Sequence, residues 1–149
     1  MITSQNIKLA EDLCEQEEGC RLTVYLDDLD FPTIGWGRKL KPGESYPDGI
    51  TQDQADAFLL ADLEVAYGDA ERLVPTLDTL DDVRAAVVID MSYNLGFNHF
   101  SGFHKFFAAL AAGDYENSAC EMKSSEWYGQ HPNRSEKLCT MMRTGVWPQ

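Results

Sequence analysis

The chain has 149 residues, 44% apolar and 25% charged, with seven Phe, six Tyr and three Trp. That composition excludes a disordered chain and fits one folded domain over residues 1–149 that needs neither a metal nor a disulfide staple. The net charge is −13, and residues 119–149 hold four Lys/Arg against three Asp/Glu, so the acidity lies ahead of them; such a surface repels phosphate and anionic lipid headgroups, which argues against nucleic acid and membrane insertion as partners.

Met1–Gly19 lacks a basic stretch followed by an apolar core, so no signal peptide is expected. Instead Ile7, Ala10, Leu13 and Cys14 are spaced for one face of a helix over Ile7–Glu18, closed by Gly19. From Cys20 to about Tyr46 the pattern changes. Leu22, Val24 and Leu26 alternate with Thr23 and Tyr25, an acidic turn follows (Asp27, Asp28, Asp30), and Phe31–Gly37 alternates again, which predicts a hairpin or small sheet. Lys41-Pro42-Gly43 and Pro47-Asp48-Gly49 read as turns.

Thr51 is placed as an N-cap, and Ala55, Phe58, Leu59, Asp62, Leu63, Ala66, Ala70, Leu73 and Val74 then follow a helical period up to Pro75. Further helices are expected over about 82–95, 102–112, 115–123 and 132–142. The fold class is therefore α+β: a small sheet lobe over about 20–50, a connecting helix over about 51–74, and a helical lobe over about 75–149 on which the first helix packs. A cleft between the lobes is the natural ligand site. Cys14, Cys20, Cys120 and Cys139 show no CxxC spacing and read as free, mostly packed thiols; His99, His104 and His131 have no partner four residues away, so no metal site is expected.

Chemistry concentrates around Thr33-Ile34-Gly35-Trp36-Gly37. Strand alternation sets Ile34 and Trp36 on a packing face, and Thr33, Gly35 and Gly37 on a face open to a ligand. The same glycines also fit a bulge or bend. Glu18 closes the first helix and Asp27 the first strand, so a carboxylic acid, a carboxylate and the Thr33 hydroxyl can converge there. Glycoside hydrolysis requires one protonated and one ionised carboxyl, which a half-buried helix end and a polar turn can supply. Among 25 acidic residues, a solvated acidic helix face fits the spacing equally.

Longer motifs separate these readings. Glu18-Gly19-Cys20-Arg21-Leu22-Thr23-Val24-Tyr25-Leu26-Asp27 with Pro32-Thr33-Ile34-Gly35-Trp36-Gly37 resembles the catalytic segment of phage-type lysozymes, glycoside hydrolase family 24. Trp127-Tyr128-Gly129-Gln130-His131-Pro132-Asn133-Arg134 and Arg143-Thr144-Gly145-Val146-Trp147 resemble the C-terminal signature of its T-even phage members. The resemblance implies a two-lobed lysozyme fold without a cofactor. It implies an inverting N-acetylmuramidase acting on bacterial peptidoglycan, with Glu18 as general acid and Asp27 with Thr33 activating water. Gly35, Gly37, Tyr93 and Arg134 then become candidate substrate-side residues, although Tyr93 also fits core packing and Arg134 a surface charge at the last helix. It further implies a monomeric endolysin held in the host cytoplasm until a holin pore releases it. A virion-borne muramidase and a catalytically silent peptidoglycan-binding module are the alternatives. The family's usual Gly-His is here Gly37-Arg38, and Arg38 is expected to pair with Asp62 between the lobes; Lys39, Phe106 and Glu121 replace small polar residues at glycan and peptide positions.

Overall fold

Ile7, Ala10, Leu13 and Cys14 recur at the spacing of one helix face. In the computed structural model, which describes residues 4–148, they lie buried along α1 (Ser4–Glu18). Gly19, at φ +66°, turns the chain out of α1 into β1 (Arg21–Leu26). β1 pairs antiparallel with β2 (Pro32–Gly35), and β2 with β3 (Arg38–Lys39), in the order β1-β2-β3. Tyr25 faces Thr33 and Thr33 faces Lys39, with a register shift between Arg21 and Tyr25.

The expected alternation identifies β1 correctly, yet Leu22, Val24 and Leu26 are all exposed. β1 is the sheet's edge, and the lobe's small core of Ile34, Ile50 and Ala55 forms where β2 meets the next helix. The Gly49 turn returns to this edge, where the Ile50 amide donates to the Leu22 carbonyl at 2.8 Å.

α2 (Gln52–Leu73) begins as expected at Thr51. The Thr51 hydroxyl accepts from the Gln54 amide at 3.1 Å, while Gln54 Oε1 accepts from the Thr51 amide at 2.8 Å, a reciprocal capping box. Its buried stripe is Ala55, Leu59, Leu63, Ala66, Tyr67 and Ala70. The expected pair between the lobes is present: Arg38 Nη1 donates to both Asp62 oxygens at 3.2 and 3.3 Å. Nη2 reaches Glu44 at 3.1 Å, and the guanidinium lies 4.5 Å over the Phe58 ring.

The larger lobe comprises a 3-10 turn (Leu77–Thr79), α3 (Asp82–Leu95), α4 (Phe97–Phe100), α5 (His104–Ala111), α6 (Tyr115–Lys123), α7 (Glu126–Gln130) and α8 (Pro132–Thr144). α4 and α7, at four and five residues, are too short to show a helical period in the sequence. The helix expected over 102–112 is α5, which starts only after a turn through Ser101-Gly102. α3 is the central helix, buried from Ala85 through Ser92, and α1 and α2 pack against it. Arg84 leaves α3 to donate to the terminal α8 carbonyls of Met142 at 2.6 Å and Arg143 at 2.9 Å. All four cysteines are free and, as expected, mostly packed: Cys14 and Cys139 are buried and Cys20 is partly buried, whereas Cys120 is exposed. Among the described residues no helix is long and apolar enough to cross a membrane.

Two side chains join the lobes near Glu18. Trp36 packs against both cores, and the Tyr93 hydroxyl on α3 donates to the Trp36 carbonyl at 3.3 Å.

Candidate active site

Glu18 is the last residue of α1, so its side chain leaves the helix at the junction of the lobes. Arg134, in the first turn of α8, donates from Nη1 to Glu18 Oε1 at 3.1 Å. The Arg134 side chain is only 15% exposed and Glu18 26%, so this is a half-buried ion pair, not a loose surface charge capping the helix. Burial nevertheless prevails over the guanidinium: Glu18 is pushed above the ordinary glutamate value by desolvation, against Arg134 and His131, and the Asp27 charge pushes the same way.

Asp27 lies in the opposite environment. The turn after β1 brings the Leu29 and Phe31 amides onto Oδ1, each at 2.9 Å, and Asp30 takes φ +65° to close it. The Phe31 amide first, then that of Leu29, holds the Asp27 carboxyl below the usual aspartate range. Among the described residues no donor occupies Oδ2. The Phe31 carbonyl accepts from both the Asp27 amide at 3.0 Å and the Thr33 hydroxyl at 2.8 Å. One peptide unit thus fixes Asp27 and Thr33 relative to each other. Thr33 is buried, and its oxygen keeps lone pairs free to accept.

The glycines divide from the expected shared open face. Gly35 is buried at φ +67°, and a Cβ there would meet Ala55 and Ile50 at 3.6–3.8 Å, so it faces the small core. It is the bend that ends β2. Gly37, at φ +83°, lies against the acid itself: a Cβ would stand 2.8 Å from Glu18 Oε2. Its missing side chain makes room for the Glu18 carboxyl. Tyr93 is half-buried against the main core with its hydroxyl on Trp36, and burial pushes that hydroxyl's pKa up.

Two further carboxyls were not singled out by the sequence reading. Glu17 and Asp90 stand behind Glu18 in the interior: the Glu17 side chain is 5% exposed and Asp90 is fully buried. Asp90 is detectable in hindsight as the one charged residue within the buried run Ala85–Ser92.

A two-lobed α+β fold with a protonatable carboxyl on the helical side and an ionised one on the sheet side is the arrangement of a lysozyme-like protein. A sequence profile described as "Phage lysozyme" matches residues 15–140, and the chain belongs to that family. It is 28% identical to "Probable T4-type lysozyme 1" of Dictyostelium discoideum, over 91% of this chain and 94% of that protein. It is 24% identical to the "Pre-baseplate central spike protein Gp5" of Enterobacteria phage T4, over 94% of this chain but 28% of that protein. It is 25% identical to "Peptidoglycan hydrolase gp36" of Pseudomonas phage phiKMV, over 85% of this chain and 14% of that protein.

Proposed function

We propose that this protein is an endolysin-type muramidase hydrolysing the β-1,4 bond between N-acetylmuramic acid and N-acetylglucosamine in bacterial peptidoglycan. The observation that carries this reading is the opposite setting of two carboxyls, Glu18 raised by burial and Asp27 lowered by backbone amides. Glu18 donates its proton to the leaving glycosidic oxygen as the bond to the anomeric carbon breaks. A water bound at Asp27 and the Thr33 hydroxyl attacks that carbon from the other face and passes its proton to Asp27, giving inversion. Arg134 orients Glu18, and Gly37 leaves its carboxyl room.

In this reading the enzyme acts as a monomer, waits in the host cytoplasm, and reaches the periplasmic wall through a holin pore. The match to a short portion of the phage T4 spike protein favours one second setting, a wall-cutting unit borne on the virion. Clearing of outer-membrane-permeabilised Gram-negative cells tests the enzymatic reading. Wild type should clear them, and Glu18→Gln, with an unchanged circular dichroism spectrum, should lose nearly all turnover. Substantial clearing by that variant removes Glu18 from the role of acid, while an inert wild type points to a silent binding module.

A further inference from the structure

Arg134 faces three carboxyls at once. Nη1 is 3.1 Å from Glu18, Nε is 4.0 Å from Glu17, and Asp90 lies within reach of its field. Asp90 is held on two sides: the Cys14 thiol donates to Oδ1 at 3.3 Å, and Asn94 Nδ2 donates to Oδ2 at 3.3 Å. Among the described residues no N–H donor reaches either Glu17 oxygen, although both are buried. A buried carboxylate without donors is costly, and a carboxylic acid in the same place is itself a donor. The acceptor available to it is Asp90, already organised as an anion by a thiol and an amide.

We propose that Asp90, paired with a protonated Glu17, is a positioning residue that shares the Arg134 charge and so keeps Glu18 from being fully neutralised as a carboxylate. The inference rests on the reading of Glu18 as general acid. An arginine devoted to Glu18 alone would stabilise the ionised form, which cannot give a proton. A second, buried anion behind the guanidinium competes for that charge. Burial raises Glu17 first and Asp90 as well, with the Glu17 hydrogen bond favouring the charged form of Asp90. The donors on both Asp90 oxygens, and their lack on Glu17, place the proton of the pair on Glu17.

The charged and titratable groups facing this cluster are Cys14, Glu17 and Glu18 from α1, Asp62 from α2 and Tyr93 from α3. Arg134 and His131 face it from α8, and Tyr25 and Asp27 from the sheet lobe. Neutralising Asp90 and neutralising Glu17 should have different effects on Glu18. Replacing Asp90 by Asn removes an anion. Replacing Glu17 by Gln keeps a neutral donor.

The test is the titration of the Glu18 carboxyl by carbon NMR of glutamate-labelled protein, assigned by its loss in Glu18→Gln, together with kcat/KM against pH. In Asp90→Asn the Glu18 titration and the alkaline limb of kcat/KM should both move down by about one pH unit. In Glu17→Gln the Glu18 titration should stay with the wild type's. The double variant E17Q/D90N, an amide pair able to hydrogen-bond, should show the same downward shift and serves if the single Asn protein does not fold. An unmoved or upward-moving Glu18 titration in the Asn variants overturns the inference. So does an equal downward shift in Glu17→Gln, which would put the charge on Glu17. Activity surviving in Glu18→Gln fails the underlying reading instead, and the two failures are separate.

Discussion

Gly37 and Gly35 both need a positive φ, yet a methyl group would have different consequences at each. Gly35→Ala meets only ordinary van der Waals neighbours, so the cost is the left-handed backbone, about 1–2 kcal/mol of stability, with kcat little changed. Gly37→Ala carries the same backbone cost and also drives into Glu18 Oε2. Its kcat should fall at least about tenfold, the effect of misplacing a catalytic group. Thermal melts beside initial rates separate the two, and a Gly37→Ala protein that is merely less stable would contradict the close approach. The carboxyls set a second expectation. With Asp27 lowered and Glu18 raised, kcat/KM against pH should be bell-shaped. Activity is lost in acid as Asp27 gains a proton, below the ordinary aspartate range, and in alkali as Glu18 loses its own, above the ordinary glutamate range. An alkaline limb at or below the ordinary glutamate value would contradict the half-buried setting of Glu18. Glu18, Asp27 and Thr33 were candidates in the sequence because they sit in two closely spaced segments, Glu18–Asp27 and Pro32–Gly37. Asp90 was not, since its meaning arises only when α3 packs on α1, seventy-odd residues away in the chain.

Arg38, Asp62, Glu44 and Phe58 tie the sheet to α2 at the level of elements. Neither carboxylate can lose this partner to alkali, because guanidinium stays charged at every practical pH. Asp62 gains little from the pair, its carboxyl being raised by burial more than Arg38 lowers it. Glu44 is held low, by the Lys41 amide first and then by Tyr46 and Arg38. The stability it contributes is present above its unfolded value of about 4.3 and is lost as pH falls through the lower folded value. Arg38→Met should keep part of the packing on Phe58 but leave both acids without their cation, costing about 1–2 kcal/mol. Denaturant melts at pH 7 check the size. A variant as stable as wild type would show the cluster to be an idle surface feature. The elements themselves were largely readable: the Gly19 stop, the Thr51 cap and the α2 stripe all follow local rules. β1 escaped in part because alternation reports a strand without saying whether anything covers its apolar face. The glycine face failed because positive φ at Gly35 and Gly37 breaks the alternation that the reading assumed.

The whole molecule carries −13, and an anionic wall should repel it at a distance. At about 0.15 M salt the field reaches only about 8 Å, so contact in the cleft is still possible. Lysis of cell walls should therefore rise or stay flat from low salt to about 0.15 M, while the rate on a short uncharged oligosaccharide stays level. A steep fall on cell walls would mean that local cations such as Arg38, Lys39 and Lys41 govern approach. The chain belongs to the phage lysozyme family and has a two-lobed fold; the bond cut and its stereochemistry are proposed. Proton NMR of purified peptidoglycan during the first minutes of hydrolysis tests both together. The expected result is a new N-acetylmuramic acid reducing end that appears first as the α anomer and then mutarotates. A first product in the β form would contradict Asp27 as the base for an attacking water, and a new N-acetylglucosamine reducing end would contradict the assigned bond.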